Sequence, residues 1–363
     1  MSRKPIRVLL VDDSPLALVV LQRMLSSSPD IEVVGVATYG RQALELIPHL
    51  KPALVCIDFH MPDMNGLELT REIMERFPCP ILVVSSAVGD ADSDRIFSLL
   101  EAGAVDVFPK PRGGTESAAL AAEDLVKKIK IVSGVRVFGR RPKKPTFPVA
   151  IDKAPAVLIR EPHERRIVVM GSSTGGPQAL HTILSELPSH FPVPIICVQH
   201  ISSGFLDGLV GWLGSHFRGK VKIARTDEAP LPGHVYFPEE NTHLVIDGRG
   251  RLRSSHEPPF GGHRPSVTTT FRSVAEHYSN SAVGVLLTGM GRDGGEGMQA
   301  LAQAGALTIC QDEASSVIFG MPKDAIERGA AREVLPLKDI AAALIEAVTP
   351  AAPDFNGRIQ NRK

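Results

Sequence analysis

The sequence predicts an α/β protein with two doubly wound sheets in series, on three observations. Short, wholly apolar runs recur at intervals that leave room for a helix between them, as strands buried on both faces do. Several of these runs end in a polar or charged residue, at the position where open α/β sheets gather ligands. A stretch rich in Pro, Lys and Arg between 131 and 165 interrupts the pattern, which then starts again. A chain of 363 residues, 43% of them hydrophobic, has material for two cores.

In the first half, Ile6–Val11 reads as a strand closed by Asp12 and Asp13. The runs 31–36, 53–57, 80–84 and 105–108 follow; Asp58 closes the third strand, and Ser85 and Lys110 come off the fourth and fifth. Amphipathic helical patterns fill the gaps. Five βα units joined by right-handed crossovers predict a flavodoxin-like fold, a five-stranded parallel sheet over residues 1–130 with the acidic residues at the topological switch beside the first strand. Residues 131–165, with the run Arg140-Arg141-Pro142-Lys143-Lys144-Pro145, read as an extended, solvated linker. No aromatic residues interleave with these cations and no helix-turn-helix pattern follows, so no nucleic-acid partner is expected.

The second half, 166–350, again alternates strands and helices. Strands are expected at 167–170, 194–199, 221–224, 234–237, 243–247, 283–288 and 306–311. The short, Gly- and Pro-punctuated runs between 221 and 253 suggest a small antiparallel excursion on a mostly parallel, doubly wound sheet. The polar end, 351–363, reads as a flexible tail.

Lys plus Arg equals Asp plus Glu at 40 each, so no net field draws the chain to nucleic acid or an anionic membrane. Cys56, Cys79, Cys197 and Cys310 lack disulfide or metal spacing and read as small core residues, as suits a reducing compartment. Asp12 and Asp13 interrupt the N-terminal apolar run before a signal-peptide core forms, and no run is long enough to span a bilayer. A cytoplasmic protein with no membrane insertion is expected.

Asp12, Asp13 and Asp58 crowd three carboxylates at adjoining strand ends, a concentration of charge that a hard, oxygen-seeking cation such as Mg²⁺ relieves. A carboxylate placed there can act as nucleophile toward phosphorus, with Asp13 and Asp58 holding Mg²⁺ and Asp12 close by. Lys110 would pair with the phosphoryl oxygens and Ser85 would hydrogen-bond the new phosphate. Taken singly, Asp12 and Asp13 are better explained as caps of the helix that begins at Ser14-Pro15. The set, Val-Asp12-Asp13-Ser-Pro, Asp58-Phe-His-Met-Pro, Ser85 and Phe-Pro-Lys110-Pro, resembles the receiver domain of two-component response regulators. That resemblance implies phosphorylation of Asp58 by a histidine kinase, Mg²⁺ ligation by Asp13, Asp58 and the backbone of His60, and an aromatic switch at Phe108.

The second half carries a different chemistry. Gly171-Ser172-Ser173-Thr174-Gly175-Gly176-Pro177 fits G-x-S-x-G, a sharp strand-to-helix turn that exposes a serine beside backbone N–H groups. Phosphate binding is the competing use of such a turn, but no P-loop Lys follows. His200 ends the next apolar run, where it can serve as general base, and Asp293 follows the run at 283–287, where it can orient the histidine. Singly, His200 reads as a strand-end histidine with a backbone partner and Asp293 as the cap of a helix over 294–304. The chain order Ser, His, Asp differs from that of α/β-hydrolases, chymotrypsin and subtilisin, and H-E-x-x-H is absent, which disfavours a zinc hydrolase.

Gly-Ser-Ser-Thr-Gly-Gly-Pro, Val-Gln-His200-Ile, Arg264-Pro265-Ser266 and Leu-Thr-Gly-Met-Gly-Arg-Asp293-Gly together resemble the chemotaxis protein-glutamate methylesterases. With the receiver in front, the resemblance covers nearly the whole chain. It implies hydrolysis of γ-glutamyl methyl esters on methyl-accepting chemotaxis receptors and deamidation of selected receptor glutamines, with no cofactor for the ester chemistry. It makes Ser173 the nucleophile, His200 the base and Asp293 its orienter, with Thr174 and Met290 lining the site. Where that family commonly has Ala, this chain has Ser172, a change expected to be harmless. Two other readings stay open on the residues alone, a hydrolase of another ester or amide outside chemotaxis and a non-catalytic phosphorelay scaffold.

Overall fold

A computed structural model gives the architecture and describes residues 4–85, 90–110, 115–137 and 165–349. The first half runs β1 (Ile6–Val11), α1 (Pro15–Leu25), β2 (Ile31–Ala37), α2 (Gly40–Leu50), β3 (Leu54–Ile57), α3 (Gly66–Arg76), β4 (Ile81–Ser85), α4 (Asp90–Ala102), β5 (Asp106–Pro109) and α5 (Thr115–Val132). Its sheet has the order β2-β1-β3-β4-β5 with every pairing parallel. This is the flavodoxin-like arrangement, with the switch point between β1 and β3. Strand residues alternate between two layers of core: Val8, Leu10, Cys56 and Val84 pack under α1 and α5, while Leu9, Val55, Ile57 and Val83 face α2, α3 and α4.

The second half runs β6 (Ile167–Ser172), α6 (Gly176–Glu186), β7 (Ile195–Gln199), α7 (Leu206–His216), β8 (Lys220–Ile223), β9 (His234–Phe237), β10 (His243–Ile246), β11 (Leu252–Ser255), α8 (Val267–Tyr278), β12 (Ala282–Leu286), α9 (Gly295–Gln303), β13 (Leu307–Gln311), α10 (Met321–Glu327), β14 (Glu333–Leu335) and α11 (Leu337–Val348). Seven strands form one parallel sheet in the order β14-β13-β12-β6-β7-β9-β8. The antiparallel excursion exists as the hairpin β10-β11, but it is smaller than the expected stretch. β8 and β9, which lie inside that stretch, join the main sheet in parallel instead. β11 and β14 were not anticipated. Each is short, and β14, Glu333-Val334-Leu335, sits on the sheet edge with Val334 exposed, so it lacks the continuous apolar run that marks an inner strand.

Residues 138–164 of the expected linker and the whole of the expected tail, 351–363, lie outside the described residues; α5 continues through Val132. One apolar layer crosses between the halves: Phe97 and Leu100 of α4 belong to the same core cluster as Leu209, Trp212 and Leu213 of α7. The rings of Phe97 and Trp212 stack with centroids 5.5 Å apart. No helix among the described residues is long and apolar enough to cross a membrane. Cys56, Cys197 and Cys310 are buried and Cys79 is half-buried, all as free thiols. Burial pushes the thiols of Cys79 and Cys310 up to about 12, in keeping with inert core residues.

Candidate active site and acceptor site

In the second sheet the switch point lies at β6, where the chain passes to β7 on one side and later returns as β12 on the other. Ser173, His200 and Asp293 come from the carboxyl ends of these three strands. The strand ends are tied by backbone bonds, His200 N–H to Ser172 O at 3.0 Å and Ser173 N–H to Thr288 O at 3.0 Å. Gln199 reinforces them by donating through Nε2 to Ser173 O and His200 O, each at 2.8 Å. Its other side-chain atom, Oε1, accepts from the buried Ser172 hydroxyl at 2.6 Å. The hydroxyl at position 172 therefore has a partner that an alanine cannot supply.

His200 Nε2 donates to Asp293 Oδ2 at 2.9 Å. Asp293 also accepts from Val267 N–H at 2.7 Å on Oδ2, and on Oδ1 from Ser266 Oγ at 2.9 Å, Thr268 N–H at 3.0 Å and Gly294 N–H at 2.9 Å. The anticipated competing role was to cap the helix over 294–304. The carboxylate instead sits on the first turn of α8, whose free N–H groups and dipole favour an anion. Burial works against the charge, but the hydrogen bond and charge of His200, together with the bonds from Thr268, hold the carboxyl well below its ordinary value.

With Nε2 engaged, His200 presents Nδ1, which is buried and has no hydrogen-bond partner. No hydrogen bond joins it to Ser173, yet Ser173, Thr174, His200 and Met290 all line one cleft of about 1030 Å³. His263 lines it too, its ring stacked on His200 with centroids 4.2 Å apart and planes within 2°. Burial and the neighbouring His200 lower the His263 pKa, with Asp293 opposing. Sequence reasoning passed over His263 because it follows no strand-like run; the isolated bridge between Phe260 and His263 that places it has no periodic signature.

At the first sheet's switch point, Asp12, Asp13 and Asp58 bring ligand oxygens within 4.8 Å of one another. Ser14, and not an aspartate, caps α1, accepting from Ala17 N–H at 3.3 Å, while Asp12 Oδ1 accepts from Ser14 N–H at 3.0 Å. Lys110 Nζ bridges Asp12 Oδ2 at 2.7 Å and Asp58 Oδ2 at 2.9 Å. Burial raises the Asp58 pKa, Lys110 opposes the rise and Asp12 adds to it. Asp58 Oδ1 and Ser85 Oγ are both buried without hydrogen-bond partners. Such orphaned oxygens fit a divalent cation at the carboxylates and an incoming phosphoryl group at Ser85. Phe108 is buried on β5 and contributes to the active-site cleft, while the side chain of His60 is exposed and packs edge-on against Phe59 at 4.9 Å.

Comparison with known proteins matches a CheB methylesterase family model to residues 168–344 and a response regulator receiver domain model to residues 8–121. A protein-glutamate methylesterase/protein-glutamine glutaminase of Nitrosospira multiformis is 42% identical over 94% of this chain and 97% of its own. A protein of the same description from Myxococcus xanthus is 42% identical over 96% of this chain and 98% of its own. The CheB methylesterase catalytic domain of Thermotoga maritima, a crystal structure, is 39% identical, with a TM-score of 0.49 over 51% of this chain and 99% of that one.

Proposed function

We infer that this chain, which belongs to the CheB methylesterase family and carries a response-regulator receiver domain ahead of its methylesterase domain, is a protein-glutamate methylesterase and protein-glutamine glutaminase that works as a phosphorylation-controlled serine hydrolase. Its substrates in this reading are the γ-glutamyl methyl esters and selected glutamines of methyl-accepting chemotaxis receptors. The receiver takes residues 1–130, the linker 131–165, the catalytic domain 166–350 and the tail 351–363, and the protein acts in the cytoplasm.

The observation that carries the reading is the His200–Asp293 bond, which leaves the imidazole Nδ1 without a partner on a histidine that lines one cleft with Ser173. Asp293 holds the proton on Nε2, so Nδ1 carries the lone pair and can take the proton of the Ser173 hydroxyl. Oγ then bonds to the side-chain ester carbon and the acyl C–O bond breaks. Methanol leaves with the proton returned by His200, and a glutamyl-Ser173 ester remains. Water, deprotonated by the same Nδ1, attacks that ester, restoring Ser173 and releasing the receptor carboxylate. A glutamine amide follows the same route with ammonia as the leaving group. The turn at Ser173 opens α6, whose first N–H groups offer positive partial charge to the developing oxyanion.

Asp58 is the phosphoacceptor and a histidine kinase the donor. Asp12, Asp13, Asp58 and the backbone of His60 would hold Mg²⁺, which when bound neutralises charge on the transferring phosphoryl group. Lys110 and the Ser85 hydroxyl would then hold the phosphoryl oxygens, and Phe108 would follow the shift. Because Phe108, Lys110, Lys128 and Ile131 wall the cleft that Ser173 and His200 line, movement at β5 and α5 would open the substrate's approach.

The test is methanol release from methylated receptor membranes, with and without a small-molecule phosphodonor. Ser173→Ala is expected to lose about 10⁴-fold or more of the activity, the usual cost of removing a triad member. Asp58→Asn is expected to keep basal hydrolysis and lose its stimulation. Near-normal hydrolysis by the first variant, or full stimulation of the second, would remove that residue from its role.

A further inference from the structure

Glu101, His181 and His216 converge from three helices on the seam between the two domains. Glu101 is on α4 of the receiver; His181 and His216 are on α6 and α7 of the catalytic domain. Glu101 Oε1 lies 3.4 Å from His216 Nε2 and 3.9 Å from His181 Nε2, and the three ligand atoms fall within 4.8 Å of one another. The same carboxylate oxygen accepts the Trp212 indole N–H at 2.9 Å. His216 Nδ1 lies 2.8 Å from Trp212 O, a carbonyl that can only accept, so Nδ1 donates there and Nε2 is the nitrogen left facing the carboxylate. His181 Nε2 is buried and has no hydrogen-bond partner, its ring held face to face on Trp212 at 4.8 Å. Burial, then the neighbouring His216, lowers the His181 pKa, with Glu101 opposing, so a neutral imidazole is favoured.

Two imidazole nitrogens and a carboxylate oxygen thus face one point. We propose that Glu101, His181 and His216 form a Zn²⁺ site that clamps the receiver onto the catalytic domain. Two histidines and one carboxylate, with water as fourth ligand, are an established donor set for this ion, and imidazole nitrogen disfavours Mg²⁺. Bonds of about 2.0–2.2 Å in a tetrahedron put ligand atoms about 3.4 Å apart. The Glu101–His216 pair already meets that spacing, and small side-chain rotations bring His181 in. The Trp212 carbonyl on the far nitrogen of His216 is the kind of outer partner that orients a metal-binding imidazole. Because the donors come from both domains, the ion binds the docked arrangement and not the separated one. At about a hundredfold excess over Kd it favours docking about a hundredfold, and phosphorylation must weaken it by the factor by which it weakens phosphorylation-driven opening.

This clamping role rests on the reading that the docked receiver restrains the esterase; the metal site itself does not. The test uses the full chain in excess Mg²⁺, which occupies the Asp12–Asp13–Asp58 cluster, titrated with Zn²⁺ by calorimetry and with Co²⁺ by its visible absorption. One equivalent is expected to bind. Glu101→Gln, which keeps an acceptor for Trp212, and His181→Ala are each expected to weaken binding by at least about tenfold, the loss that an outer-shell partner alone produces. Zn²⁺ is also expected to lower basal methanol release by the parent protein and not by these variants. Absence of binding in the micromolar range, or binding indifferent to both substitutions, would overturn the site and leave a plain Glu101–His216 ion pair. Binding that needs Glu101 and His181 yet leaves hydrolysis unchanged would overturn the clamp. The effect of Asp58 phosphorylation on activity tests the restraint separately.

Discussion

A single carboxylate, Asp293, holds His200 with one oxygen and the first turn of α8 largely with the other, while itself being buried. Asp293→Asn separates these demands poorly, because the amide NH₂ must face either His200 or the N–H groups of α8, all of them donors. Hydrolysis is expected to fall by about 10⁴-fold through loss of the correct tautomer, with about 1–3 kcal/mol of stability lost to mismatched polar groups. The pH dependence has a definite sign. The folded carboxyl titrates below its ordinary value of 3.8, so its contribution is fully present above that value and drains away as pH falls toward the lower, folded pKa. Urea unfolding of parent and variant should therefore differ at neutral pH and converge as pH falls below 3.8. A gap that persists unchanged in acid would show that the charge is not what stabilises this corner.

At the scale of the element, the turn that carries Ser173 is braced from outside its own strand. Gly175 takes φ +77° to start α6, and a side chain there would also strike Val317. Gly289 follows β12, and a Cβ on it would lie 2.8 Å from Ser173 Cβ and 2.2 Å from Met321 Sδ. Met321 can yield, but the Ser173 Cβ is fixed by its backbone bond to Thr288. Gly289→Ala is therefore expected to keep the fold by circular dichroism and lower kcat by about 10²-fold, the effect of a misplacement near 1 Å, with KM little changed. Normal kcat would mean that the turn tolerates displacement. Much of this architecture was legible in the sequence, because strands buried on both faces leave unbroken apolar runs and the polar residues that end them stand out. Ser173, His200, Asp293 and Asp58 stand out as candidates in that way. His263 and the edge strands β11 and β14 were not, since a ring stacked from a loop and a half-exposed strand leave no periodic trace. The parallel placement of β8 and β9 was missed for a related reason: short strands punctuated by Gly and Pro look like hairpins until the sheet order is known.

For the whole molecule, the question raised by the proposed function is how a phosphate on Asp58 would reach a cleft whose chemistry belongs to the other domain. The seam offers a direct mechanical answer. Gln178, in the first turn of α6 just past Ser173, donates through Nε2 to Ala104 O at 2.8 Å, and Ala104 lies in the turn from α4 into β5. The helix that follows Ser173 is therefore hydrogen-bonded to the connection leading to Phe108 and Lys110. Phe97 stacked on Trp212 supplies apolar adhesion beside it. Domain interfaces of this mixed kind separate readily unless they are large and apolar, so removing one bond should shift the balance measurably. A neutral hydrogen bond contributes about 0.5–1.5 kcal/mol, so Gln178→Ala is expected to raise basal hydrolysis roughly two- to tenfold without phosphodonor. Fully phosphorylated parent and variant should then converge, because both are already open. If basal activity stays at the parent level while phosphodonor still stimulates, docking at this seam does not restrain the enzyme, and control must run through the β5–α5 wall of the cleft alone.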